Sequence, residues 1–155
     1  MKKLLVTVLS LLGLTFAMPG HAAGTASGTF NVGLTLTSKC EINSTNAATG
    51  AVITDLAMTY TSFQTTAATG TTTFNVRCTN SLPFTLALDS TTVTDNALNL
   101  AYTLSLSGAS GTGSGVDQAF TVTGNIASGQ AGTCATASCT NGTATNKQRT
   151  LTVTY

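Results

Sequence analysis

The chemically versatile side chains of this 155-residue chain are few and far apart. Its single histidine is His21, and its five acids are Glu41, Asp55, Asp89, Asp95 and Asp117. Nucleophilic catalysis of the Ser-His or Cys-His type needs a base beside the nucleophile, and a His-ligated metal needs imidazoles. His21 sits in a segment expected to be removed, which leaves no candidate for either. Asp89 and Asp95 flank a turn, where an Asp side chain caps backbone N–H groups rather than pairing for acid–base work. The run GTGSG, 111–115, has no helix after it to complete a phosphate cradle and reads as a flexible hairpin tip. No catalytic, cofactor or metal site is therefore expected, and the enzyme class is set aside.

The residues with a chemistry of their own are the four cysteines, Cys40, Cys78, Cys134 and Cys139. Four cysteines allow three pairings. Cys134 and Cys139 are separated only by Ala-Thr-Ala-Ser, so they are paired here, closing a small surface loop. Cys40 and Cys78 then pair by elimination and tie the start of one strand to the end of another. The longer loop stabilises more, by about 4 kcal/mol on chain-entropy grounds. The wide Cys40–Cys78 separation argues against a four-thiolate zinc site.

Disulfides need an oxidising compartment, and the N-terminus supplies the route. Lys2 and Lys3 precede an apolar run from Leu4 to Met18, followed by Pro19, Gly20, His21, Ala22 and Ala23. Charge, apolar core and small residues in that order make a secretory signal peptide, expected over residues 1–22 with cleavage after Ala22. The run is too short for a transmembrane helix. Removing Lys2 and Lys3 from the six Lys+Arg leaves four against five acids, a net charge of −1. That balance excludes nucleic acid, which needs a basic stripe. The remainder is long enough for one domain with a real core. It carries 32 Thr, a β-branched residue suited to the solvated face of a strand.

Apolar residues alternate with polar ones between turn residues along most of this length. Phe30, Val32, Leu34 and Leu36 form the clearest row. Cys40 and Ile42 follow, then a loop from Asn43 to Gly50, then Leu56, Met58 and Tyr60. After a loop from Ala67 to Gly70 come Phe74, Val76 and Cys78, then Phe84, Leu86 and Leu88. Leu98 to Leu106 alternates as one long strand, and Gly108 to Gly115 is a loop. Phe120, Val122 and Ile126 precede a long loop of small residues, 127–146, and Leu151, Val153 and Tyr155 form a terminal strand. No stretch has helical period with caps. About eight short strands of this kind predict an all-β sandwich.

Gly28–Thr37 admits two readings: the first strand of a closed sandwich, or a strand donated to a neighbouring subunit by β-strand addition. Pattern alone leaves both open. Three blocks decide for the second by resemblance: GTFNVGLTLTSKCEI (Gly28–Ile42), TTTFNVRCTNSLPFTLALDS (Thr71–Ser90), and FTVTGNIASGQAGT (Phe120–Thr133) with the terminal LTVTY. In order and spacing the chain resembles the spore coat protein U domain family, which includes the Csu-type archaic chaperone–usher pilins. The resemblance implies an incomplete immunoglobulin-like β-sandwich, residues 39–155, completed by a donor strand from a neighbouring subunit. It places the donor segment at 23–38 with Phe30, Val32, Leu34 and Leu36 as donor residues. It maps the family disulfide to Cys40–Cys78 and the terminal strand to Leu151, Val153 and Tyr155.

The function so implied is a structural subunit of a cell-surface pilus, secreted through the periplasm and supporting adhesion and biofilm formation. Its partners are identical or related subunits, with a periplasmic chaperone and an outer-membrane usher during assembly. The chain lacks the family's aromatic-Gly pair near Leu56–Phe63 and its Tyr-x-Leu-Tyr-x-Asp pattern near Tyr102, and Cys134–Cys139 is an addition. The alternative reading is a secreted monomeric binding module or coat protein that uses the loops at Gly108–Gly115 or Cys134–Cys139.

Overall fold

The computed structural model describes residues 24–43, 45–46 and 51–155; the signal-peptide reading of residues 1–22 lies outside them. The described residues form strands and no helix. The strands are β1 (Cys40–Ile42), β2 (Thr45–Asn46), β3 (Ala68–Cys78), β4 (Pro83–Leu88), β5 (Thr92–Thr94), β6 (Ala101–Leu106), β7 (Ser110–Thr112), β8 (Gln118–Ile126) and β9 (Leu151–Thr154). They make two antiparallel sheets, one ordered β2-β1-β3-β8-β6-β5 and the other β7-β4-β9.

Period-2 alternation explains the layering. In β3 the inward residues Phe74, Val76 and Cys78 are buried while Thr71, Thr73 and Arg77 face out. Val122 and Ile126 of β8 and Leu104 of β6 continue that inner face, and Phe84 and Leu86 of β4 meet it from the second sheet. The Phe120 ring joins the layers, stacking on Phe74 at 5.8 Å between centroids and meeting Phe84 edge-on at 6.0 Å. Each side chain of this size stabilises by about 1.5–3 kcal/mol when fully buried. The architecture is an all-β sandwich, as the alternation predicts.

Several element boundaries differ from the sequence reading. Leu56, Met58 and Tyr60 alternate in burial but belong to no strand. The segment lies instead across the inner face of the large sheet, over the partnered glycines Gly70 and Gly124. A Cβ at Gly70 would collide with the Ala57 carbonyl oxygen, and one at Gly124 would stand 2.8 Å from Met58 Sδ and 2.9 Å from Leu56 Cδ2. The two glycines make a trough that a side chain at either position would fill.

The strand read from Leu98 to Leu106 begins only at Ala101. Asp95, 3 % exposed, accepts hydrogen bonds from Ala97 N (3.0 Å) and Leu98 N (2.8 Å) through Oδ1, which turns the chain before β6 can start. β3 starts inside the loop expected at Ala67–Gly70, and β2 lies in the one expected at Asn43–Gly50. The loop expected at Gly108–Gly115 contains β7, which takes up the first two residues of the expected flexible tip, with Gly111 against the Phe84 ring and Gly113 buried.

Candidate functional site

A sheet edge is where a strand can be added, because its outward N–H and C=O groups lack partners in the sheet. The edge strands here are β2, β5, β7 and β9. β9 is the longest of them, and it has apolar side chains on its inner face. It pairs only with β4, in the register Thr85↔Thr154, Leu86↔Val153, Ala87↔Thr152 and Leu88↔Leu151. Asp89 N donates to Thr150 O at 3.0 Å just beyond this ladder. Hydrogen-bonded pairs alternate in an antiparallel ladder, so Thr150, Thr152 and Thr154 turn their backbone groups to β4. Leu151, Val153 and Tyr155 turn theirs to the open side. The Leu151 and Val153 side chains pack against the core yet stay half-buried, and Tyr155 is 56 % exposed. The arrangement offers an incoming strand a backbone ladder and incompletely covered apolar side chains together.

The four residues expected on the donor strand are the largest run of exposed apolar side chains among the described residues. Phe30 is 85 % exposed, Val32 70 %, Leu34 92 % and Leu36 81 %, and residues 24–39 belong to no strand. The chain divides into two units between Thr35 and Leu36. Monomeric proteins rarely leave so many apolar side chains in a row in water.

Where this segment enters the sandwich it is fastened in several ways. Thr79 N donates to Lys39 O at 3.0 Å, and Lys39 N to Thr79 Oγ1 at 3.0 Å. Cys40 and Cys78 face one another in the β1–β3 register with Cα atoms 4.1 Å apart, joined by a disulfide. One residue on, Glu41 receives Lys39 Nζ at 2.6 Å on Oε1 and Arg77 at 2.5 Å on Oε2. These hydrogen bonds, from Lys39 first and Arg77 next, hold the Glu41 carboxyl below its ordinary value of 4.5. Sequence reasoning missed this cluster although a signal was present: once Cys40 pairs with Cys78, antiparallel register sets Glu41 opposite Arg77.

The remaining acids do not converge. Asp89 faces Arg149 at 3.5 Å, Asp95 caps its turn, and Asp55 and Asp117 are exposed. The second disulfide joins Cys134 to Cys139 in the loop between β8 and β9. That loop is tied down by Gln130, another residue the sequence did not single out. Its backbone N–H donates to Tyr60 Oη at 2.7 Å, and its side chain accepts from Ala101 N at 2.7 Å.

No family model, curated protein or solved structure matches this chain. No helix among the described residues is long and apolar enough to cross a membrane, and no three His, Cys, Asp or Glu among them cluster as metal ligands would.

Proposed function

We propose that the chain is a structural subunit of a surface pilus, assembled by donor-strand exchange along a chaperone–usher route and used for attachment. The observation that supports this most is the pairing of an unfilled need with an unused supply. β9 has an open edge with half-covered Leu151 and Val153, and an alternating apolar row, Phe30 to Leu36, belongs to no strand. The donor row of one subunit would lie along the β9 edge of the next. Burying four such side chains at ~2–3 kcal/mol each yields roughly 8–12 kcal/mol before ordering costs. Release requires a whole ladder to open at once, so such contacts dissociate slowly.

Two neighbouring substitutions test the reading. Leu34→Asp places an uncompensated charge in an apolar groove, whereas Thr35→Asp points the other way along a strand. Leu34→Asp should abolish fibres and denaturant-resistant oligomers on gels while its own groove still accepts a wild-type donor. Thr35→Asp should be much milder. Equal fibre yield from the two variants would return the chain to the monomeric binding-module reading.

A further inference from the structure

The two disulfides differ in the access they give to a thiol. Cys40 and Cys78 are 1 % and 3 % exposed, inside the core cluster. Cys134 and Cys139 are both exposed, at the tip of the loop that joins β8 to β9. A thiolate must reach a sulfur to displace its partner, so a buried disulfide exchanges only when the surrounding structure opens.

The tip is also isolated from the rest of the fold. On one side the loop is fixed by Thr133 N donating to Leu98 O at 2.6 Å. On the other it is fixed by Asn141 Nδ2 donating to the buried Asp95 at 3.1 Å. The disulfide closes only residues 134–139, which lie between these anchors, and neither anchor passes through a sulfur. The Thr136 hydroxyl donates to Ser138 O at 2.8 Å and stands 3.5 Å from Cys139 Sγ and 3.9 Å from Cys134 Sγ, so a rotation about its C–O bond turns that proton to a thiolate leaving from either position.

We infer that Cys134–Cys139 is a thiol-exchange site on the folded protein, open to small thiols and to dithiol reductants, and that it turns over independently of Cys40–Cys78. In the first step an external thiolate attacks one sulfur. A new S–S bond forms, the Cys134–Cys139 bond breaks with its electron pair on the other sulfur, and that thiolate takes a proton from water. A second external thiol attacks the mixed disulfide, leaving two cysteine thiols on the protein and one oxidised external disulfide. The tip then opens between anchors that stay in place, giving a point of reversible covalent attachment. None of this chemistry requires assembly into a fibre.

The test is a time course of the full chain in reduced glutathione at neutral pH, quenched by alkylation and read by peptide mass mapping, with circular dichroism alongside. Alkylation and glutathione adducts at Cys134 and Cys139 should arise at least about tenfold faster than at Cys40 and Cys78, with the β-sheet spectrum unchanged. Thr136→Val, an exposed change between the anchors that touches neither, should slow the exchange while leaving the spectrum alone. Reduction of both disulfides at one rate, earlier loss of Cys40–Cys78, or collapse of the spectrum when Cys134–Cys139 opens would each overturn the inference.

Discussion

Glu41 is held between Lys39 and Arg77 at the point where the amino-terminal segment joins β1, and its carboxyl titrates lower than usual for that reason. A carboxyl whose folded-state value is depressed favours the folded chain while it is ionised. That contribution is complete above the ordinary value of 4.5 and drains away as pH falls through the depressed one. Melting temperatures of the wild type and Glu41→Gln should differ at neutral pH and converge in acid; a gap that stays constant down to the acid limb would disprove the linkage. At this scale the sequence was informative about cysteines, because spacing constrains which pairs can close. It said less about Glu41, one of whose two partners is 36 residues away, and about Gln130, whose side chain meets Ala101 29 residues away. The β1–β3 register brings Arg77 to Glu41, and the path of the loop after β8 brings Gln130 to Ala101.

At the scale of elements, residues 51–60 show what alternation reports. Apolar residues at every second position state that one side of an extended segment faces a core, and Ile53, Leu56, Met58 and Tyr60 are half-buried as that requires. They do not state whether the backbone pairs, and here it lies on a sheet face above Gly70 and Gly124. Gly124→Val should therefore displace Leu56 and Met58 and destabilise the fold by about 1–3 kcal/mol, the usual range for overpacking. Thr71→Val on the outward face of β3 should stay within about 0.5 kcal/mol. Urea denaturation of both variants checks this, and equal midpoints would show that the trough does not confine the segment. The late start of β6 has a local cause: Asp95 captures two N–H groups of the residues that follow it. Composition hinted at that turn, but the apolar pattern of Leu98 and Leu100 outweighed it.

At the scale of the molecule, the fold class was legible because inward and outward residues separate in β3, β4 and β9 as alternation demands. The sheet order was not, since β3 pairs with β8 across four intervening strands, of which β4 and β7 belong to the other sheet. Nor could the sequence say which edge stays open, as that depends on every pairing being known. A chain without residues 23–37 keeps the β9 edge but has no row to offer, and it should aggregate or depend on a chaperone. Supplying a peptide of residues 24–38 should restore a soluble, cooperatively melting fold. A truncated chain that is monomeric and melts cooperatively without the peptide would argue for a closed sandwich.

The disulfide at the first residue of β1 also fixes how the molecule meets tension. β1 is three residues long, and alone it would peel from β3 one bond at a time. With Cys40 joined covalently to Cys78, a pull on the chain ahead of Lys39 bypasses that short ladder and arrives at the end of β3. β3 is the longest of the nine described strands, paired with β8 from Ala68 to Val76 within the large sheet. A pull from that side therefore enters the large sheet through a covalent bond to its longest described strand, and the three-residue β1 ladder does not set the load that the junction carries.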